Sequence, residues 1–178
     1  LERRVAKGAL SAEQCEAALA RVQAAVALDA AVADADLVIE AIVEDLEAKR
    51  RIFQNLDRLA PPHAILATNS STMTVSEIAG SLAGRHRALA MHFFNPALVM
   101  RLVEIAPGPF TVPSAVDAAA SFCRAIDREP VILQREIPGL IVNRILWALR
   151  REAMALADQG FASPRDIDKA VKLGLNHP

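Results

Sequence analysis

Aromatic residues make up only 4% of this 178-residue chain, and there are two cysteines. Scarce aromatics beside frequent alanine suit packed helices with small-residue contacts. Cys15 and Cys123 stand far apart and fit no metal-ligand spacing, so no metal site is expected. Both read as small buried fillers of a reduced, cytoplasmic-type protein. An excess of one charge sign is also missing: 20 Lys and Arg face 21 Asp and Glu, for a net charge of −1. Such a balance gives no field to draw nucleic acid, and no basic run marks a membrane surface. No apolar run reaches the roughly 18 to 20 residues that span a bilayer. Of the seven glycines (Gly8, Gly80, Gly84, Gly108, Gly139, Gly160 and Gly174), none forms Gly-x-Gly-x-x-Gly. The chain begins at Leu1, already inside a helical pattern (Leu1, Val5, a stop at Gly8), and so reads as a fragment without its natural N-terminus.

Hydrophobic residues reach 53%, which predicts a packed core, and the length suits one domain or one and a fraction. Ser11, with Gln14 three residues on, predicts a capped helix from about Ala12 to Ala25, with Leu19, Val22 and Val26 on its apolar side. The β-branched run Leu37–Val43 reads as a strand buried on both faces, as in a parallel sheet. Helical periodicity follows over Leu46–Leu59 and stops at Pro61-Pro62. Strands are expected at Ile65–Thr68, Ala88–Phe94, Leu102–Ile105 and Val131–Leu133, and helices at Val75–Ala79 and Pro113–Ile126. This alternation argues α/β with a largely parallel sheet. Beyond Pro138-Gly139 the pattern turns helical, with one long helix to Gly160. Another begins at Ser163-Pro164, with Ser as N-cap and Pro at the first helical position. A boundary is therefore expected near residues 135 to 138, dividing the chain into 1–136 and 137–178.

Four stretches carry residues suited to proton chemistry on an alcohol or ketone: Ala67–Thr74, Ala90–Pro96, Leu102–Ile105 and Gly139–Arg144. His92 follows an apolar strand, and at its C-terminal end a histidine can accept an alcohol's proton. A core histidine bonded to backbone is the plainer alternative. Glu104 interrupts Leu102, Val103 and Ile105. It could hold a histidine's ring nitrogen and fix the tautomer, or be a solvated strand residue. The hydroxyls of Ser70, Ser71 and Thr72 could donate to a substrate or cofactor, or cap the helix at Val75. Asn143 could bind a carbonyl oxygen or satisfy a neighbouring backbone group.

In order along the chain, Thr-Asn-Ser-Ser-Thr, His-Phe-Phe-Asn-Pro, Val-Glu and Gly-Leu-Ile-Val-Asn-Arg resemble the motifs of the L-3-hydroxyacyl-CoA dehydrogenase family. The resemblance covers almost the whole chain. It implies the remainder of a Rossmann-type NAD-binding domain, lacking its first βαβ unit and glycine-rich loop, followed by the start of an all-helical domain. It implies NAD as cofactor and an acyl-CoA as substrate, in fatty-acid β-oxidation or butanoate metabolism. It implies a homodimer through the helical domain when the protein is full length. By alignment His92 is the acid–base residue, Glu104 its orienting carboxylate, Ser71 the catalytic serine with Ser70 in reserve, and Asn143 the substrate-positioning amide. Val38–Lys49 resembles the family's cofactor-side segment, with Glu44 and Lys49 as nucleotide contacts, while Ser71 and Asn95 lie toward the nicotinamide. Glu44 or Asp45 could equally cap the following helix. Residues 1–178 by themselves are expected to bind NAD poorly and turn over little, because a strand edge near Val38 lacks its partner. The alternatives are a related NAD-dependent hydroxy-acid dehydrogenase and a crystallin-like structural relative.

Overall fold

A computed structural model describes residues 2–6 and 8–177. Its elements are α1 (Glu2–Ala6), α2 (Ala12–Leu19), α3 (Leu28–Val32), β1 (Leu37–Glu40), α4 (Leu46–Leu59), β2 (Ile65–Thr68), α5 (Val75–Ala79), β3 (Ala88–Phe93), β4 (Leu102–Pro107), α6 (Pro113–Ala125), β5 (Glu129–Ile132), α7 (Val142–Asp158) and α8 (Pro164–Leu175). Leu1, taken as part of the first helical pattern, lies outside the described residues.

The five strands form one sheet in the order β1-β2-β3-β4-β5. Three neighbouring pairs are parallel, and β3–β4 is antiparallel. The largely parallel sheet therefore holds one reversal. Its cause is length: the segment 94–101 is too short for a parallel crossover, which takes roughly a dozen residues or more.

Strand side chains alternate between faces, and each face has its own helices. Leu66, Ala88, Ala90 and Ala106 form one core with Phe53 and Leu56 of α4 and Val75 and Ile78 of α5. On the other face Ala67, Leu89, Met91 and Ile105 pack with Ala119 and Cys123 of α6. Burying a side chain such as Phe53 or Leu56 in full contributes about 1.5–3 kcal/mol. These two layers fix the strand ends, and with them the polar side chains those ends carry.

β1 is shorter than the apolar run containing it. Pairing stops at Glu40, and Ala41–Val43 are exposed. The Glu40 carboxylate accepts the N–H of Ile42 at 2.7 Å, which turns the chain out of the ladder. Nor is β1 buried on both faces: Leu37, Val38 and Ile39 are only half-buried, because β1 is an edge strand with β2 on one side.

α2 also ends early, at Leu19. Its start is as expected, with Ser11 and Gln14 exchanging hydrogen bonds at 3.0 and 2.9 Å. Of its residues only Cys15 is buried, and Leu19, Val22 and Val26 are exposed. A short helix without a packed apolar face is marginal, so it stops where burial stops. α4, by contrast, covers the expected residues, and Asp45 caps it by accepting the N–H of Ala48 at 2.7 Å. Beyond the sheet, α7 and α8 follow among the described residues. Ser163 accepts the N–H of Asp166 at 3.1 Å, with Pro164 at the first helical position.

Candidate active site

His92 and Glu104 are directly paired residues of the antiparallel β3–β4 ladder. Opposed side chains there project from the same face. His92 Nδ1 lies 3.1 Å from Glu104 Oε2. The pair is deeply set, with His92 8% and Glu104 1% exposed. The ring of Phe94 meets the imidazole edge-to-face, with centroids 4.6 Å apart. With Nδ1–H donated to the carboxylate, a neutral imidazole keeps Nε2 as the acceptor.

The other oxygen of Glu104 is also used. Oε1 accepts the backbone N–H groups of Ile141 and Val142, each at 2.9 Å. These are orphan donors at the start of α7, which has no capping side chain at its own N-cap residue. The chain enters α7 through two residues with positive φ, Gly139 (+82°) and Leu140 (+51°). A Cβ on Gly139 would sit 2.5 Å from the Trp147 ring, so glycine is required by both the backbone and the space. One carboxylate thus holds both the histidine and the helix that carries Asn143.

A second polar group lies one strand away on the same sheet face. Glu40 and Thr68 are register partners on β1 and β2. Thr68 Oγ1 donates to Glu40 Oε2 at 2.8 Å, and Lys49 Nζ donates to Glu40 Oε1 at 2.7 Å. Lys49 also lies 3.2 Å from Glu44 Oε2. Glu44 Oε1 accepts from Thr72 Oγ1 at 2.7 Å and from Ser70 Oγ. Burial pushes the Glu44 carboxyl up. Hydrogen bonds from Ser70, Thr72 and Lys49, with the Lys49 charge, outweigh that and hold it below the usual range.

These contacts separate several of the sequence alternatives. The helix at Val75 is capped by Thr74 with Glu77, not by the Ser70–Thr72 cluster. Asp45, not Glu44, caps α4. Ser70 is buried and committed: its hydroxyl accepts the N–H of Met73 at 3.0 Å and donates to Glu44. Ser71 is half-buried, and its side chain makes no hydrogen bond among the described residues. The same holds for the half-buried Asn143. Asn69 links the two polar groups, since its Oδ1 accepts the N–H of Phe93 at 2.9 Å while its own N–H reaches Glu40 O at 2.8 Å. Asn95 is exposed in the segment after β3 and joins Pro96 by a cis peptide bond.

Glu40 and Thr68 were not singled out from sequence. The signal was present, because a carboxylate ending the apolar run Leu37-Val38-Ile39 needs a partner if buried. A groove of about 500 Å³ lies between α7 and α8, lined by Leu146, Leu149, Met154, Ile167 and Val171 among others. It holds none of the candidate residues, and Arg150, Asp158, Asp168 and Lys172 share its lining with those apolar side chains. The chemistry-bearing side chains stand instead at the ends of the strands.

A largely parallel α/β sheet with proton-transfer groups at its strand ends is the architecture of a Rossmann-type dehydrogenase domain. Comparison with known sequences narrows this class. The family "3-hydroxyacyl-CoA dehydrogenase, NAD binding domain" matches residues 1–137, and "3-hydroxyacyl-CoA dehydrogenase, C-terminal domain" matches residues 139–178. The chain belongs to the 3-hydroxyacyl-CoA dehydrogenase family, and NAD is the cofactor of the domain it matches.

Among similar proteins, 3-hydroxybutyryl-CoA dehydrogenase of Clostridioides difficile is 43% identical over 145 residues, covering 82% of this chain and 51% of that protein. Human mitochondrial hydroxyacyl-coenzyme A dehydrogenase is 41% identical, covering 80% of this chain and 45% of its own length. The crystal structure of (S)-3-hydroxybutyryl-CoA dehydrogenase from Ralstonia eutropha superposes with a TM-score of 0.94 at 33% identity, covering 99% of this chain and 62% of that one. The chain spans about half the length of these two curated relatives.

Proposed function

We propose that the whole protein interconverts a (3S)-3-hydroxyacyl-CoA and the 3-oxoacyl-CoA, with NAD⁺ and NADH as the redox partners. The observation that carries this reading is the buried His92–Glu104 pair, whose geometry leaves His92 Nε2 as an acceptor. In oxidation Nε2 takes the proton of the 3-hydroxyl, and in reduction it returns a proton to the ketone oxygen. Glu104 steadies the imidazolium that forms. Ser71 and Asn143, whose side chains are uncommitted within the described residues, hold the substrate oxygens.

NAD⁺, when bound, supplies the acceptor for the hydride leaving C3. The donor set here fits its nicotinamide–ribose half. Glu44 presents a side chain 41% exposed beside the Ser70–Thr72 hydroxyls, an acceptor suited to ribose hydroxyls. Lys49 lies behind it, while Ser71 and Asn95 offer a hydroxyl and an amide to the carboxamide side. A glycine-rich phosphate turn is not among these residues.

Within this reading, 1–136 is the cofactor-binding part and 137–178 the start of a helical, dimer-forming part. Exposed Ile145, Met154 and Leu173 support an association through those helices. Two free, buried cysteines suit a reduced compartment such as the cytoplasm. Metabolism of acyl-CoA by β-oxidation or butanoate chemistry follows from the substrate.

The test is NADH oxidation by the full-length protein with acetoacetyl-CoA, wild type against His92→Gln. We expect rapid oxidation, reduced on the order of 10²- to 10⁴-fold in the variant. Near-normal turnover by a folded His92→Gln would remove His92 from this role. Dicarbonyl compounds make a useful second substrate, because a diketoreductase 36% identical to this chain shares its fold with a TM-score of 0.86. Activity on those alone would favour a smaller hydroxy-carbonyl substrate.

A further inference from the structure

We propose that Glu40 is a positioning residue for the cofactor side of the site, acting through Lys49 on Glu44. The inference rests on the NAD-dependent reading above.

Glu40 is the last residue of β1 and is 4% exposed. Its carboxylate is occupied from within the chain by the N–H of Ile42, the ammonium of Lys49 and the hydroxyl of Thr68. It has no open direction toward a ligand. Lys49 is 1% exposed and equally committed. An ammonium has three protons, and three acceptors surround this one: Glu40 Oε1 at 2.7 Å, Glu44 Oε2 at 3.2 Å and Ile42 O at 3.4 Å. All three protons of Lys49 therefore have an acceptor within the chain in this arrangement. Of Glu40, Lys49 and Glu44, Glu44 is the member open to solvent, and it is the one placed to pass the effect on to the cofactor side.

Glu44 in turn joins the turn after β1 to the loop after β2, through Ser70 and Thr72, which flank Ser71. Two carboxylates share one ammonium, and the shorter contact goes to the buried one. Glu40 thus draws Lys49 inward and leaves Glu44 as an anionic acceptor at the surface. With Glu40 neutral, Lys49 would turn its full attraction on Glu44. The carboxylate would be pulled inward, and the Ser70–Thr72 loop would lose its anchor.

The test uses the full-length protein and Glu40→Gln, a change that keeps shape and removes charge. NADH binding is measured by fluorescence titration, melting temperature by circular dichroism, and kcat at saturating NADH. We expect the NADH Kd to rise roughly tenfold or more, the scale at which supporting partners act on a site, with kcat at saturating NADH falling by a smaller factor than the Kd rises. A purely structural role would lower the folded fraction and leave the Kd of the folded molecules at its wild-type value, and that result would overturn the proposal. If Glu40→Gln is unfolded in buffer, the titration is made in trimethylamine N-oxide, which favours the folded state, and the same criterion applies. The route through Glu44 is read from a double variant, since coupled residues give non-additive effects. Glu40→Gln with Glu44→Gln should bind NADH no more weakly than Glu44→Gln alone, and additive losses would overturn that route. A wild-type protein that fails to bind NADH would sink the NAD-dependent reading itself, and this inference with it.

Discussion

The carboxylate of Glu104 lies 3.1 Å from His92 Nδ1 through Oε2, while Oε1 receives the first N–H groups of α7. A glutamine at 104 cannot do both. If its oxygen turns to α7, its amide N–H₂ faces His92, which must then accept at Nδ1 and carry its proton on Nε2. That tautomer cannot take a proton from an alcohol. If the oxygen turns to His92, the amide protons face two backbone N–H donors, and buried donors are left unpaired. Glu104→Gln should therefore either lower kcat by about 10²-fold or more with α7 still held, or keep the tautomer and lower the melting temperature. Kinetics and thermal unfolding of the same preparation check both, and a variant with kcat and melting temperature both unchanged would contradict the double role of Glu104.

Adjacent serines should separate in opposite ways. The Ser70 hydroxyl accepts the N–H of Met73 and donates to Glu44 in a buried setting. Ser70→Ala leaves the Met73 N–H without its acceptor and removes one of the bonds to Glu44, which costs roughly 1–3 kcal/mol of stability. Ser71 has no such commitments among the described residues, so Ser71→Ala should change stability by less than about 0.5 kcal/mol. It should instead lower kcat/KM for the acyl-CoA. Denaturant unfolding and steady-state kinetics of the two variants settle the pattern. A Ser71→Ala protein with normal kinetics would pass the substrate role to another hydroxyl.

How much of this was legible in the sequence depends on how far apart the interacting residues stand. α4 could be read to its ends because its apolar period, its Asp45 cap and Pro61-Pro62 are all local. The same period misled for α2, since Leu19, Val22 and Val26 make an apolar side without a surface to bury it against. The extent of α2 was set by packing, which a local pattern does not contain. The His92–Glu104 contact was a reasonable expectation from residue type, but its geometry required the strand reversal between them. The length of segment 94–101 already pointed to that reversal. Glu40 was hidden inside an apolar run, and its partners Lys49 and Thr68 come together only when β1, β2 and α4 are assembled. The second use of Glu104, holding α7, joins residues 37 and 38 positions apart, and no local motif signals it.

Glu44 gives a test in pH. Its carboxyl is held below the ordinary value of 4.5: burial raises it, and the bonds from Ser70, Thr72 and Lys49 lower it further than burial lifts it. A group whose folded pKa is depressed adds stability that is fully present above the unfolded pKa. That contribution is lost as pH falls through the folded pKa, because the unfolded chain then binds the proton first. The difference in melting temperature between wild type and Glu44→Gln should therefore be flat above about pH 5 to 6 and shrink below about 4.5. Comparing the two proteins at each pH removes the parallel contribution of Glu77, whose carboxyl is lowered by its own bonds to Thr74. The side chain of Glu44 is well exposed, so salt should reduce the size of the difference without moving its pH range far. A difference that grows on acidification would mean that Glu44 is destabilising in the folded protein, and that burial outweighs its three partners.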